Sequence, residues 1–324
     1  MPKFTLLIMF GTLSYFATYS QTCCSGGIPL SNSIGLPSSA KGTILLGLSY
    51  DYNNLNTLYH GNTELNDDSR LRTTQSILFN VGYTITTNLS VEALFTYVNQ
   101  KRKISQFGNV NIDETYGVGD GVLLFKYNFN RLFKQDNLLR IGLGTKIPFG
   151  ATDKKSDEGI LFNADLQPGS GAWDIIFWSY YSHTFAFRPS GTFSASAIYR
   201  LTGTNNNYLN LTTYRFGPEF QSFIGYTDQF IVYKTLINPG LSIKYRHANQ
   251  DEIGGFLLDN TGGEWVTIIP SVDMEISTKL NVLTKFEIPI YSYVDGTQLT
   301  PTYRITIGLF YNIDRSKKDL FKIK

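Results

Sequence analysis

The chain has 324 residues, of which 42% are hydrophobic, 15% aromatic and 17% charged, and its formal net charge is +2. The charged fraction is below the roughly 25% that is usual in soluble domains, and the small net charge gives no indication of a nucleic-acid partner. A mean hydropathy of -0.12 excludes a bundle of membrane helices. It is compatible with a membrane barrel, because alternating strands average their hydropathy.

The first 20 residues have the pattern of a secretory signal peptide. Lys3 supplies a positive charge, and residues 4–16 form a mostly apolar run. The small residues Thr18 and Ser20 flank Tyr19, just before a cleavage point after Ser20. The apolar run is shorter than the roughly 20 residues that a membrane-spanning helix needs. We therefore predict that residues 1–20 are a cleaved signal peptide and that the protein is exported.

The next segment, residues 21–40, is rich in Gly, Ser and Pro and has no regular alternation. We interpret it as an irregular N-terminal segment that folds into the mouth or lumen of a barrel as a plug. It contains the two cysteines of the chain, Cys23 and Cys24, which are adjacent. In an oxidising compartment the pair indicates a disulfide, a metal or redox role, or no specific role. The identity of a metal at this pair is unknown.

Beyond residue 40 the sequence alternates with a period of two. In Thr302–Ile313, Ile307 and Leu309 share an apolar face, whereas Arg304 and Thr306 lie on the other face. This period predicts strands, and most are long enough for the roughly 9–11 residues with which a tilted strand crosses a bilayer. The twelve predicted strands lie near residues 41–52, 71–85, 89–103, 115–129, 138–149, 172–185, 190–203, 211–226, 230–247, 264–278, 282–294 and 302–313.

The links between these strands broadly alternate between short and long. Such alternation is typical of outer-membrane barrels, which have short periplasmic turns and longer external loops. We therefore predict an all-β fold, a transmembrane antiparallel up-and-down β-barrel of about 12 strands over residues 41–313, in the cell outer membrane of a Gram-negative cell. Because the strand number is even, both chain ends fall on the periplasmic side, and residues 314–324 form a periplasmic basic tail.

Three glycines at alternate positions occur in TYGVGDGVLLFKYNF, residues 115–129. A nucleotide-binding loop would need a helix after the glycines, and a strand is predicted there instead. Within this stretch, GVGDGVLLFKYNF is similar to the G-x-G-D-x-x-x-x-x-K-Y motif of the outer-membrane family named for the meta-pathway of phenol degradation. Residues 88–98, 144–153 and 166–182 resemble further elements of that family, in the same order. The resemblance implies a transporter or channel for small, often apolar compounds, distantly similar to the long-chain fatty acid transporters.

The polar faces of the predicted strands carry charges of both signs, which we expect to line the lumen. Two roles are open for them: a salt-bridge network that stiffens the wall, or a selectivity lining for a solute path. We also expect Tyr291, Tyr293, Ser194, Ser196 and Thr306 in the lumen, where they would suit amphipathic or aromatic solutes. The candidate charged residues are Glu92, Asp120, Lys126, Arg140, Lys146, Arg200, Arg215, Glu219, Lys234, Lys244, Arg246, Asp273, Glu275, Lys285, Glu287 and Arg304.

His183 and Ser179 share one parity of a predicted strand. Outer-membrane phospholipase A uses Ser and His on the outer face of a barrel, but no residue that would orient the imidazole is evident here. We therefore predict no catalysis and no cofactor. We expect a channel or transporter for small, amphipathic or aromatic solutes, with a non-conducting structural barrel and, less favoured, a lipid hydrolase as alternatives. The expected partners are outer-membrane lipid and lipopolysaccharide, a small-molecule solute and the barrel-assembly machinery.

Overall fold

The computed structural model describes residues 40–129 and 136–314. Twelve antiparallel strands form a wall in which each strand pairs with the next. The last strand pairs with the first, from Ile44 opposite Ile313 to Asn54 opposite Tyr303, and so closes the barrel. The prediction of a 12-stranded up-and-down barrel is confirmed. The wall strands are β1 (Ile44–Leu55), β2 (Arg70–Thr84), β3 (Leu89–Gln106), β4 (Gly121–Asn128), β5 (Asn137–Ile147), β6 (Asp174–Phe185), β7 (Arg188–Leu201), β8 (Glu219–Thr227), β9 (Thr235–Ala248), β10 (Gly263–Ser277), β11 (Leu280–Thr300) and β12 (Tyr303–Ile313).

Some predictions lie outside the described residues. They are the signal peptide at 1–20, the plug formed by residues 21–40, the role of Cys23 and Cys24, and the basic tail at 314–324, with only Ala40 and Asp314 of these segments described.

The outer face of the wall is apolar. Across four neighbouring strands the register aligns Leu309, Leu48, Phe79 and Phe95 in one row, and each of these side chains is exposed to the surroundings of the barrel. Alternate residues of the same strands point inward and are buried, among them Asn80 and Thr306. A wall with an apolar exterior and a polar interior is the arrangement that a bilayer selects, because lipid cannot satisfy polar side chains.

Shorter elements extend the wall at its two ends. Phe230–Val232 lies at the end with the short turns, and the other short elements lie at the end with the long links. These are the strands Thr57–Gly61, Thr63–Leu65, Asn109–Val118, Asn205–Tyr208, Thr212–Arg215, Glu252–Ile253 and Phe256–Leu257, and the 3-10 helix Ala164–Leu166. Within the part of the chain that the structure describes, no helix has the length and hydrophobicity needed to cross a membrane.

Two predicted strands are broken at the end of the barrel with the long links. The strand predicted over 115–129 divides between Asn109–Val118 and β4, because the chain leaves the ladder at Gly119 and Asp120 and directs the Asp120 carboxylate inward. The strand predicted over 211–226 divides before β8 at Pro218, which has no N–H to donate. A Cβ on the preceding Gly217 would lie 1.9 Å from the carbonyl oxygen of Asn249.

A β-bulge reverses the alternation in β11. Val266 pairs with Tyr291, whereas the next residue, Thr267, pairs with Pro289, so that Ile290 is an extra residue. An extra residue moves every later side chain to the opposite face. Tyr291 and Tyr293 are therefore 47% and 42% exposed on the outer face, and their predicted place in the lumen is wrong.

The apolar outer face predicts that a charge introduced there lowers the stability of the barrel more than a charge introduced in a link. Leu309→Arg near the middle of β12 should lower the free energy of unfolding in lipid vesicles by about 2–4 kcal/mol, because the guanidinium would face hydrocarbon. Leu211→Arg is the matched control, since Leu211 is 90% exposed in a long link, and it should change this free energy by less than about 0.5 kcal/mol. Equal effects of the two substitutions, measured by guanidinium titration, would contradict the lipid-facing assignment of β12.

Candidate functional site

A series of inward-facing charges begins at the end of the barrel that carries the long links. Lys146 on β5 places its Nζ 2.7 Å from Oδ2 of Asp174 on β6 and 3.4 Å from Oδ2 of Asp120, which precedes β4. Nη1 of Arg200 on β7 lies 3.9 Å from the same Asp174 oxygen. The side chains of these four residues are almost fully buried. In such surroundings a charge is tolerated only when an opposite charge compensates it.

The series of ion pairs continues at Glu219, at the start of β8. Its Oε2 accepts a hydrogen bond of 2.9 Å from Nη2 of Arg200, and its Oε1 accepts one of 2.6 Å from Nε of Arg246 on β9. The Arg246 guanidinium lies 4.5 Å from the ring centroid of Trp265 on β10. One carboxylate thus holds two cations on its two neighbouring strands. From Asp120 to Trp265 the contacts cross every strand from β4 to β10.

A second group of charges joins the last strands to the first. The ammonium group of Lys244 on β9 forms an ion pair with Glu287 on β11. Nε of Arg304 on β12 lies 3.9 Å from Glu287 and 2.9 Å from Oδ2 of Asp51 on β1. The Thr306 hydroxyl also donates to Asp51, at 2.7 Å. The closing seam of the barrel is therefore bridged by side chains as well as by the backbone ladder.

A third pair lies between β3 and β4, where Lys126 Nζ is 2.8 Å from Glu92 Oε2. Asn80 donates to the same carboxylate at 3.3 Å. The Lys126 ammonium also lies 5.7 Å from the ring centroid of Trp178.

The structure brings most of the candidate lumen residues to the inner face. Arg140, Asp273, Glu275 and Lys285 lie on that face by strand parity but have no ion pair with any residue that the structure describes. The residues that it joins in the three groups above are Glu92, Asp120, Lys126, Lys146, Arg200, Glu219, Lys244, Arg246, Glu287 and Arg304.

Two candidates lie elsewhere. Lys234 is exposed in the turn after Phe230–Val232, with φ of +70°, because the segment predicted as one strand over 230–247 forms a small hairpin before β9. Arg215 lies on a short strand outside the wall, where it is 3.6 Å from Glu252 and about one-third exposed. Their predicted lumen-lining positions are therefore wrong.

Sequence reasoning missed four charged residues of the interior. Asp51 and Arg72 share the parity of the inward residues of β1 and β2, and Asp174 begins a predicted strand. Strand parity could therefore have identified all three. The fourth, Asp165, lies in a link without a regular period, and parity offers no signal for it.

The link between β5 and β6, residues 148–173, folds back inside the wall, and we call it the inserted loop. Nη1 of Arg72 lies 2.6 Å from Oδ2 of Asp165, and Nη2 donates to the backbone oxygen of Asp165 at 2.6 Å. Gln100 Nε2 donates to the backbone oxygen of Gln167 at 3.2 Å, and the Ser170 hydroxyl donates to Asp120 at 2.6 Å. The inserted loop therefore narrows the mouth and is held by side chains of the wall.

An aromatic lid covers the inserted loop. It consists of Tyr208, Tyr214 and Phe216 from the link between β7 and β8, packed against Ala164. The Tyr214 hydroxyl donates to Oδ2 of Asp251 at 2.6 Å, and the N–H of Gly217 donates to Oδ1 at 2.7 Å. Burial raises the pKa of Asp251 to about 6, despite these two hydrogen bonds and the nearby Arg200, which act in the opposite direction.

Part of the interior beside the charges is apolar. Seven inward side chains form one buried cluster, against which Tyr180 and Phe223 pack. Ile198, which interrupts the polar face of its predicted strand, belongs to this cluster. On β6 and β7 the inner surface is thus divided along the strand into a charged tier, towards the long links, and an apolar tier. The cluster residues are Leu78, Leu94, Val122, Leu124, Ile176, Trp178 and Ile198.

His183 has an orienting partner that sequence reasoning did not identify. Its Nδ1 lies 2.9 Å from Oδ1 of Asn137 on the neighbouring strand, and the Tyr181 hydroxyl donates to the same oxygen. Ser179, however, lies four residues along the same strand, about 13 Å away at the usual rise. The structure therefore brings His183 to the Asn137 side-chain amide, but Ser179 lies too far from His183 to react with it. The described residues also contain no cluster of three or more side chains that could hold a metal ion.

Comparison with known proteins shows the fold. No family model matches the chain, and no curated protein matches it significantly. The chain is similar to an outer membrane channel from Pseudomonas putida F1, with a TM-score of 0.67 and 13% identity over 88% of this chain and 100% of that chain. The β domain of the Bordetella autotransporter BrkA gives a TM-score of 0.43 and 10% identity over 85% of this chain and 100% of that chain.

The architecture is that of an outer-membrane β-barrel. At 13% identity the similarity to the channel extends to the fold alone. The resemblance to the family named for the meta-pathway of phenol degradation, and to the fatty acid transporters, therefore stays a prediction.

The bridging role of Glu219 predicts a large loss of stability on neutralisation. Glu219→Gln removes the carboxylate that Arg200 and Arg246 share and should cost about 3–5 kcal/mol in guanidinium titrations in lipid vesicles. Asp228→Asn is the matched control, since its ion pair with Arg188 is at the surface and should contribute little. A loss for Glu219→Gln no greater than that of the control would show that the buried charges are not coupled.

The raised pKa of Asp251 predicts that the lid is tighter in acid. Because the packed lid favours the protonated carboxyl, its stability should fall as pH rises from about 4 to about 6 and then stay low. Hydrogen exchange of the amides in residues 202–218 and 249–262, corrected for the intrinsic effect of pH, should be faster at pH 7.5 than at pH 4.5. Asp251→Asn, neutral at both pH values, should remove most of this difference, and an unchanged difference would contradict the assignment.

Proposed function

We propose that the protein is an outer-membrane channel or transporter for small solutes, with the barrel interior as the path and the inserted loop as its constriction. The observation that carries the proposal is the attachment of this loop. Its chain passes inside the wall, yet a single basic side chain, Arg72, makes both the ion pair and a backbone hydrogen bond to Asp165. The other polar contacts of the loop with the wall also come from side chains, those of Gln100, Thr115, Asp120 and Lys146, and not from a backbone ladder. The constriction can therefore be displaced without unfolding the wall.

The charged tier supports the same function. Carboxylates and basic groups of the wall neutralise one another around the interior. Such pairing stiffens the wall and places polar groups along the proposed path. The proposed partners are outer-membrane lipid, lipopolysaccharide, the barrel-assembly machinery and the solute itself, and the proposal includes no catalytic step.

The second candidate is a non-conducting structural barrel. It is favoured by the apolar cluster, whose side chains from β2, β3, β4, β6 and β7 pack together inside the wall. In that case the inserted loop and the cluster would close the interior permanently. The two candidates differ in what happens when the inserted loop is released.

Releasing the inserted loop should increase conductance. Arg72→Ala leaves the Asp165 carboxylate buried without its cation, which favours movement of the loop into water. In planar bilayers we expect the wild-type protein to conduct small ions and the variant to show a conductance or an open fraction several-fold higher.

Arg188→Ala is the control, because Arg188 pairs with Asp228 at 2.6 Å at the end of the barrel with the short turns, opposite to the inserted loop. It should leave the conductance near the wild-type level. If neither the wild-type protein nor Arg72→Ala conducts, the protein is a structural barrel and the proposed function is wrong.

A further inference from the structure

One row of inward side chains lies between the apolar cluster and the end of the barrel with the short turns. The ladder places Asn128 opposite Arg140, Arg140 opposite Tyr180, Tyr180 opposite Ser196, and Ser196 opposite Phe223. These five residues come from five consecutive strands, β4 to β8, and form one register row on the inner face. We call them the lower row.

Arg140 is the uncompensated charge of this row. No described carboxylate lies within ion-pair distance of its guanidinium, and its Nε is buried without a hydrogen-bond partner among the described residues. Its inward basic neighbours Lys126, Lys146 and Arg200 all have carboxylate partners. In the sequence outside the described residues, Asp319 is the only acidic side chain. A partly buried guanidinium is costly without a partner, and its planar fork fits a carboxylate with two hydrogen bonds.

The rest of the row supplies an apolar surface beside this cation. The Arg140 guanidinium lies 5.6 Å from the ring centroid of Tyr180, and the Tyr180 ring stacks against Trp178 with an interplanar angle of 3°. Tyr180 and Phe223 stand on either side of Ser196, two strands apart, which corresponds to roughly 10 Å of wall. Ser196, the residue between the two rings, has a small side chain, and both rings pack against the apolar cluster that contains Trp178 and Ile198.

We propose that the lower row is a binding site for an organic monoanion that has one carboxylate and a compact apolar body, such as an aromatic carboxylate. The carboxylate would bind the Arg140 guanidinium, and the apolar body would lie across Tyr180 towards Phe223. A neutral solute would leave the guanidinium uncompensated, and a small inorganic anion would leave the rings without a contact. The inference deepens the proposed function, on which it rests, by naming the class of solute that enters the lumen.

Benzoate is the probe, because it combines the two features in one rigid molecule. Benzamide has the same shape without the charge, and acetate has the charge without the ring. Isothermal titration of the full-length protein in detergent should show the strongest binding for benzoate. Arg140→Lys keeps the positive charge but loses the planar fork, and it should weaken benzoate binding about tenfold.

Two further variants separate a local site from a general effect of charge. Lys285→Met removes an inward cation from β11, on the opposite side of the barrel, and should change benzoate binding by less than about twofold. Tyr180→Leu keeps Arg140 and removes the ring, and it should weaken benzoate while leaving acetate unchanged. Each variant is first shown to form the barrel by its resistance to unfolding in cold detergent gels.

The proposal is overturned if benzoate binds no more tightly than benzamide and acetate, or if Arg140→Lys and Lys285→Met weaken it equally. These outcomes are independent of the proposed function, because the titration does not require conduction. Benzoate binding that depends on Arg140 in a protein that never conducts would retain the site and reject the channel. Conduction without such binding would retain the channel and reject the site.

Discussion

The structure depends on the compensation of charges that point into the barrel. An inward carboxylate or ammonium group loses much of its hydration, and only an opposite charge within a few ångströms offsets that loss. The wall meets this requirement across neighbouring strands: Glu219 on β8 lies between Arg200 on β7 and Arg246 on β9. Since a shift of one residue in any of these strands would direct its charge into lipid, the ion pairs favour one register as strongly as the backbone ladder does.

The inner face of β6 shows how charged and apolar side chains follow one another along a strand. Asp174, Trp178 and Tyr180 follow one another on the inner face of β6, from the long links towards the short turns. The first belongs to the paired charges, the second to the apolar cluster, and the third to the lower row beside Arg140. The inserted loop completes the mouth by bringing Asp165 to Arg72, so that a charge of the wall is neutralised by a residue of a link. Each tier therefore offers a solute a different chemistry.

The sequence predicts those parts of this arrangement that the alternation of apolar and polar residues encodes. A period of two encodes which side chains share a face, and twelve such segments were enough to predict the closed barrel. It does not encode interruptions that depend on a single residue, such as Pro218 before β8 or the extra residue at Ile290, which moved Tyr291 and Tyr293 to the outer face. Nor does it encode register, which decides that Glu287 pairs with Lys244. Asp165 could not be predicted because a link has no period to constrain it.

The distinction between paired and unpaired charges leads to a view of selectivity in this interior. A cation whose carboxylate lies at 2.7 Å, as for Lys146, has its field largely cancelled before a solute arrives. Such a residue stabilises the wall but discriminates weakly between an anion and a neutral molecule. Arg140 differs because no described carboxylate cancels its field, and because an aromatic ring lies beside its guanidinium. The many paired charges of the lumen therefore contribute mainly to stability. Recognition of a solute depends on the few charges that the fold leaves uncompensated.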